Sequence, residues 1–267
     1  MKFVKMQGAG NDYVYVDCFK EKVKNPSEIA IKVSDRHYGV GSDGLILICP
    51  SDIADVKMDM YNADGSRGLM CGNGARCVAK YAYDHGYVKS ENFTMETCAG
   101  IKYIKVEPKN GKAEYINVNM GKAVITSEFP EKILINGEEK EFIGVDIGNP
   151  HAVYYVDSLE KLHNMDLNRV GEYYEKHERF PQKVNSEFIY IKDRKNIYMR
   201  VWERGSGETL ACGTGACASA FATMKKGACD TSVRVHLIGG DLDISLENDE
   251  IYMRGKAEYV FTGEINF

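Results

Sequence analysis

The strongest constraint on the fold is a stretch that the chain contains twice. "GLMCGNGARCVAK" and "TLACGTGACASAF" each place a cysteine, Cys71 and Cys212, directly before a Gly-x-Gly turn and a helix-like run. The two cysteines are 141 residues apart, and "YVD" at residues 15–17 recurs 140 residues later at 155–157. Matches that keep one order and one register indicate an internal duplication. The chain is therefore predicted to consist of two halves with the same fold, related by an approximate twofold axis.

Most of each half has the pattern of strands. The segment "DVKMDMY", residues 55–61, alternates apolar and polar side chains with the period of a half-buried strand. Asn136-Gly137 is typical of a two-residue hairpin turn, because both positions of that turn need positive φ. A surface helix is predicted to begin at the capping sequence "NPSE", residues 25–28, and a second one at Asp166.

The helices behind the two cysteines have a different composition. Alanine and other small or apolar residues cover most of their faces, and a helix that is apolar most of the way round should be buried. These patterns predict an α/β (α+β) protein with two pseudo-symmetric domains, each a curled, mostly antiparallel sheet around a central buried helix. The predicted domains are 1–118, completed by a C-terminal strand at 258–267, and 119–257. The final strand is assigned to the first half because the repeat offset exceeds half of the chain.

Charge and composition exclude several classes of partner. The net charge is -5, and charges of both signs are scattered over the 267 residues without a basic block. Nucleic acid and anionic membranes are therefore not expected as partners. No apolar run resembles a signal peptide or a membrane span, so we expect a cytoplasmic protein. In that compartment its eight cysteines should be reduced.

The repeated motif indicates a chemistry. Unpaired N–H groups at a helix start are expected to lower the pKa of a cysteine there and to bind a carboxylate. Two such helix starts that face each other could hold one carboxylate between two thiols. One thiolate would then remove an α-proton while a thiol on the other face returns one, which inverts the carbon. No lysine-centred motif indicates pyridoxal phosphate, so no cofactor is expected.

The remaining motifs resemble those of the diaminopimelate epimerase family. They run in order from residue 1 to near the C-terminus and include "GNDYV", "YNADGS", "MCGNGARC", "GNPH", "ERGSGET" and "ACGTGACA". The resemblance implies cofactor-independent interconversion of LL- and meso-2,6-diaminopimelate, a step toward lysine and peptidoglycan precursors. It also implies a homodimer and an active site in the cleft between the two halves.

The resemblance assigns roles to individual residues. Cys71 and Cys212 match the two catalytic bases, and His151 and Glu203 match groups that lie close to the cysteines and tune them. The backbones of Gly72-Asn73 and Gly213-Thr214 match the site of the reacting carboxylate. Six polar residues match groups that hold the rest of the substrate: Asn11, Asn62, Asn149, Asn185, Glu203 and Arg204. Without the resemblance, the asparagines beside Gly or Pro could equally be turn residues.

One position departs from the family pattern. Many members have a glutamine where "GVGSDGLI" has Gly44, so no role is transferred to that position. The departure leaves open a racemase of proline, hydroxyproline or histidine on the same scaffold. An alternative from a different class is a thiol redox or metal-binding protein, although the cysteine spacing lacks the short C-x2-C of structural zinc sites.

Overall fold

The computed structural model describes residues 1–266, and the chain forms two compact units. The first unit contains residues 1–119 together with the C-terminal residues from 254 on, and the second contains residues 120–253. The last residue of the strand predicted at 258–267, Phe267, lies outside the described residues.

The first unit is built from strands and two helices. In chain order its elements are β1 (Lys2–Gly8), β2 (Asn11–Asp17), α1 (Pro26–Ser34), β3 (Gly44–Cys49), β4 (Val56–Asn62), β5 (Arg67–Gly68), α2 (Gly72–Asp84), β6 (Asn92–Thr97), β7 (Gly100–Lys109) and β8 (Lys112–Gly121).

The second unit repeats this plan with one more helix. Its elements are β9 (Val124–Ile125), β10 (Glu131–Ile135), β11 (Glu138–Asp146), β12 (Pro150–Tyr155), α3 (Leu159–Asn164), α4 (Leu167–Glu175), β13 (Asn185–Asp193), β14 (Asn196–Glu203), β15 (Gly207–Thr209), α5 (Gly213–Lys225), β16 (Ser232–Leu237), β17 (Gly240–Glu247) and β18 (Glu250–Gly255). The last strand, β19 (Glu258–Glu264), pairs antiparallel with β1 of the first unit.

The strand pairings show the same topology in both units. In the first, β2 and β3 are parallel across α1, β3 and β4 are antiparallel, and β4 and β6 are parallel across α2. In the second, β12 and β13 are parallel across α3 and α4, β13 and β14 are antiparallel, and β14 and β16 are parallel across α5. The predicted fold class, a mixed α/β protein that is mostly sheet with few helices, is confirmed.

The helices that follow the two cysteines are the buried ones. Helices α2 and α5 each have 13 residues, of which ten are buried. Small side chains allow strands to pack closely around each helix, and alanine has the highest helix propensity. The prediction of one buried, small-residue helix in each half is therefore correct.

Local predictions were mostly correct at the turns and caps. Asn136 and Gly137 have φ of 52° and 80° between β10 and β11, as the hairpin prediction requires. Asp166 caps α4 by accepting a hydrogen bond from the Arg169 N–H at 3.3 Å. The cap at Asn25 differs, because its left-handed backbone leaves the side chain without a capping hydrogen bond, although α1 does begin at Pro26.

Among the described residues, no helix is long and apolar enough to span a membrane.

Candidate active site

In the first unit, Cys71 is the N-cap of α2. Its Sγ accepts a hydrogen bond from the Gly74 N–H at 3.3 Å, and the thiol donates to Asn11 Oδ1 at 3.2 Å. The thiol is half-buried. The extended backbone of a cap residue turns the side chain back over the first helical turn, which explains the contact with the third N–H of the helix. Cys71 and Asn11 are thus brought together, although 60 residues separate them.

Asp43 orients the Asn11 amide. Asn11 Nδ2 donates to Asp43 Oδ2 at 2.7 Å, which leaves the amide oxygen to face the Cys71 thiol. The Asp12 N–H donates to the same carboxylate oxygen at 3.0 Å, and Arg36 pairs with the other oxygen at 3.0 Å. Burial raises the pKa of Asp43, while these hydrogen bonds oppose the rise. Sequence reasoning missed Asp43, because an aspartate before a glycine is usually a turn residue.

The start of α2 is held by an arginine from the same helix. The Arg76 side chain is fully buried and donates to Asn73 Oδ1 at 2.8 Å and to the Lys256 carbonyl at 3.2 Å. The Asn73 side chain is therefore bound to its own helix, and the carboxylate-binding role of the Gly72-Asn73 backbone stays a prediction.

The Asn62 side chain is bound within a turn. The residue ends β4, and its Nδ2 donates to Ser66 Oγ at 2.9 Å in the following turn. Its partner across the sheet is Gly44, at the position where the family pattern has a glutamine. A Cβ on Gly44 would lie 2.1 Å from the Tyr61 carbonyl oxygen and 2.7 Å from the Tyr13 ring. The local packing of this chain therefore requires glycine at this position.

Replacing Gly44 by glutamine should lower the free energy of unfolding by about 2–4 kcal/mol, because the clash is with backbone and an overpacked site must shift. Chemical denaturation measures the change. Gly100→Gln is the matched control, since Gly100 also has positive φ, at 97°, but no described atom within 4 Å of a new Cβ. An equal loss of stability in both variants would contradict the clash.

In the second unit, Cys212 is the N-cap of α5 in the same geometry as Cys71. Its Sγ accepts from the Gly215 N–H at 3.3 Å and lies 3.5 Å from Thr214 Oγ1. The residue is 6% exposed, more buried than Cys71.

Two carboxylates adjoin Cys212. One is Glu203, the last residue of β14, which accepts a hydrogen bond from the Thr209 hydroxyl and lies close enough to Cys212 to affect its pKa. Burial raises the pKa of Cys212 well above its ordinary value, and the charges of Glu203 and Glu187 add to the effect. The sequence-based expectation of a lowered pKa is therefore wrong for Cys212. The Gly215 N–H does favour the thiolate, but the partial charge of a helix end is outweighed by lost hydration and two nearby anions.

His151 is linked to Cys212 through Asn149 and Thr214, and on its other side it contacts the buried Glu187. Its Nδ1 lies 2.7 Å from Glu187 Oε1 and its Nε2 lies 3.1 Å from Asn149 Oδ1. The Asn149 amide donates to Thr214 Oγ1 at 3.3 Å, and Thr214 adjoins Cys212. Sequence reasoning missed Glu187. The feature that could have indicated it in the sequence is a single acidic residue inside the apolar run of β13.

Asn185 and Arg204 form a second group. Asn185 Oδ1 accepts from the Arg204 N–H at 2.8 Å, and its Nδ2 donates to the Pro150 carbonyl at 3.4 Å. The Arg204 side chain is exposed and donates to the Gln182 carbonyl at 3.1 Å. An exposed guanidinium can pair bidentately with a ligand carboxylate.

Comparison with known proteins establishes the family. The family model described as diaminopimelate epimerase matches residues 3–126 and 143–260. The chain belongs to this family. The diaminopimelate epimerase of Acetivibrio thermocellus is 47% identical over 100% of this chain and 99% of the relative. That of Bacillus licheniformis is 46% identical over 98% and 97%.

Solved structures of more distant proteins share the fold. A PhzF-family phenazine biosynthesis protein from Bacillus anthracis has a TM-score of 0.80 at 16% identity, covering 100% of this chain and 99% of that protein. A hydroxyproline epimerase from Agrobacterium vitis has a TM-score of 0.73 at 14% identity, covering 98% and 91%. At such identities these likenesses concern the fold alone.

Proposed function

We propose that the chain is a cofactor-independent epimerase that interconverts LL- and meso-2,6-diaminopimelate, in the synthesis of lysine and peptidoglycan precursors. The observation that carries the proposal is the identical placement of two thiols. Cys71 and Cys212 each cap a buried 13-residue helix, one in each unit, and each Sγ accepts the third N–H of its helix at 3.3 Å. Full-length relatives at 44–47% identity that carry the name diaminopimelate epimerase favour this substrate over proline or histidine.

The two thiols act as acid and base on one α-carbon. A thiolate from one unit removes the α-proton, and the thiol from the other delivers a proton to the opposite face. Backbone N–H groups of Gly72-Asn73 and Gly213-Thr214 bind the α-carboxylate and stabilise the charge that develops on it. The protein thereby takes the place of an electron-withdrawing cofactor.

The polar groups beyond the thiols bind the rest of the substrate. Arg204 pairs with the distal carboxylate, while the oxygens of Asn62, Asn149 and Asn185 are suited to an ammonium group. Asn11, through its bond to the Cys71 thiol, links the substrate site to the first base. A substrate with a second amino acid end uses this set, and a smaller one does not need it.

We also infer that the protein acts in the cytoplasm as a homodimer. The described pairing of β19 is with β1, and β19 leaves Tyr259, Val260 and Phe261 exposed. A strand with exposed apolar side chains is suited to pairing with a second copy. Sedimentation analysis measures the oligomeric state, and a monomer at micromolar concentration would contradict this part of the proposal.

Proton exchange at the α-carbon tests the reaction. LL-Diaminopimelate is incubated in deuterated water with reduced, metal-free protein and no added cofactor. Incorporation of deuterium together with formation of the meso isomer is the expected result, and proline and histidine should not react. Absence of exchange with diaminopimelate would refute the proposed substrate, and exchange with proline would favour the racemase alternative.

A further inference from the structure

Glu187 is a buried carboxylate that the proposed reaction does not use directly. It lies in β13 with a fully buried side chain. Its Oε1 is 2.7 Å from His151 Nδ1, whereas Oε2 has no hydrogen-bond partner among residues 1–266. Burying a carboxylate without compensation is costly, and such groups are normally paired or fully hydrogen-bonded. The His151 ring is therefore the group that compensates the charge of Glu187.

Both ring nitrogens of His151 lie within hydrogen-bond distance of side-chain oxygens. Nδ1 faces a carboxylate oxygen, and Nε2 faces Asn149 Oδ1, whose amide nitrogen is bound to Thr214. Both ring nitrogens thus face acceptors, which suits an imidazolium because only that form donates from both. Glu187 and His151 together then form a neutral buried pair in which each charge depends on the other.

This pair lies against the first turn of α5. A Cβ added to Gly215 would lie 2.6 Å from Glu187 Oε1 and 3.2 Å from the Cβ of Cys212. Glycine at this helical position therefore makes room for the carboxylate. The titratable groups that interact with Glu187 or with its partner are His151, Cys212, Glu203 and Tyr154. Apart from His151, all of these groups are neutral or negative, so His151 is the group that can supply positive charge.

We propose that Glu187 is a positioning residue that holds His151 as an imidazolium near Glu203 and linked to Cys212 through Asn149 and Thr214, where the cation offsets the negative charge present when Cys212 is a thiolate. The inference rests on the proposed function for its catalytic consequence, but the charge of His151 is a property of the resting protein. Glu187 does not contact the substrate and acts through His151. Its carboxylate also fixes the ring, because Nδ1–H must point at Oε1.

Nitrogen NMR of the resting protein tests the charge state without reference to activity. Protein labelled with ¹⁵N-histidine has six histidines, and the loss of one signal in His151→Asn assigns the ring. At pH 7.5 we expect both nitrogens of His151 to be protonated in the wild type, and the ring to be neutral in Glu187→Gln. Glu131→Gln is the control, since Glu131 pairs with Arg179 at 2.6 Å in the same unit, and it should leave the His151 signal unchanged. A neutral His151 ring in the wild type would overturn the proposal.

A double-mutant cycle tests whether Glu187 acts through His151. Glu187→Gln should reduce kcat/KM by about tenfold or more at pH 8, and should move the alkaline limb of the pH profile to lower pH. The sign follows because an imidazolium without its carboxylate partner loses its proton at a lower pH, and one unit of pKa is a tenfold change in population. In the His151→Asn background the same substitution should have little further effect.

Equal losses from Glu187→Gln in both backgrounds, with an unshifted pH profile, would mean a purely structural role and would overturn the proposal. If Glu187→Gln fails to fold, Glu187→Asp is the alternative variant, because it retains the charge and should retain the protonated ring. The wild-type spectrum by itself still tests whether His151 is an imidazolium. A protein that shows the imidazolium but no α-proton exchange with diaminopimelate would refute the proposed function and leave the Glu187–His151 assignment standing.

Discussion

Replacing either Cys71 or Cys212 by alanine should abolish inversion of diaminopimelate, with a loss of at least about 10³-fold in kcat, because one face of the α-carbon then lacks its acid or its base. The variants should differ in what they retain. Each keeps one thiol, so each should still exchange the α-proton of the isomer whose proton faces that thiol, without inverting it. Mass spectrometry and chiral chromatography of LL and meso substrate in deuterated water measure both quantities.

Two buried cysteines in the same helices provide matched controls. Cys77 lies in α2 and Cys217 in α5, and neither caps its helix. Burial raises the pKa of Cys77 to about 12, so it remains a neutral thiol of the core. Cys77→Ala and Cys217→Ala should lose stability but keep inversion. If Cys71→Ala still inverts at the wild-type rate, or if both active-site variants exchange the same isomer, the two-base mechanism is wrong.

Replacing Glu203 by glutamine should have the next largest effect, a fall in kcat/KM of about 100-fold. After burial, the charge of Glu203 is the largest cause of the raised pKa of the Cys212 thiol. The carboxylate therefore controls when Cys212 holds its proton. Without this anion the pKa of Cys212 should fall, so alkylation of Cys212 by iodoacetamide at pH 8 should become faster while epimerisation becomes slower.

Glu208→Gln is the control for Glu203→Gln. Glu208 lies five residues further along the same hairpin and pairs with Arg200 at 2.7 Å. Its loss should lower stability without accelerating alkylation, which peptide mapping assigns to individual cysteines. Slower or unchanged alkylation of Cys212 in Glu203→Gln would show that the carboxylate does not hold the thiol protonated.

Local and repeated features were predictable from the sequence for a physical reason. The helix starts at Cys71 and Cys212, the hairpin at Asn136-Gly137 and the helix after Asp166 depend on the conformational preferences of a few adjacent residues. The duplication was visible because two copies of one motif stand at one offset. These features can be recognised from residues that are adjacent in the sequence.

The sequence indicated candidate positions for the site, but it did not indicate the contacts that those residues make. Asn11 and Cys71 meet because β2 and the start of α2 lie together, and Asn62 instead bonds within its own turn. Gly44, seen in the sequence only as a departure from the family pattern, proves to be required by the Tyr61 carbonyl on the neighbouring strand. Such contacts join residues that are distant in the sequence.

The sequence by itself determined the duplicated fold, the two capped buried helices and the two candidate thiols, because these follow from residue periodicity and short-range backbone preference. Only the tertiary structure decided the electrostatics of the second thiol. Glu203 and Glu187 reach Cys212 from different strands, and burial removes the water that would screen them. A pKa depends on every charge within a few ångströms and on the loss of solvent, and both are properties of the folded chain rather than of any segment of it.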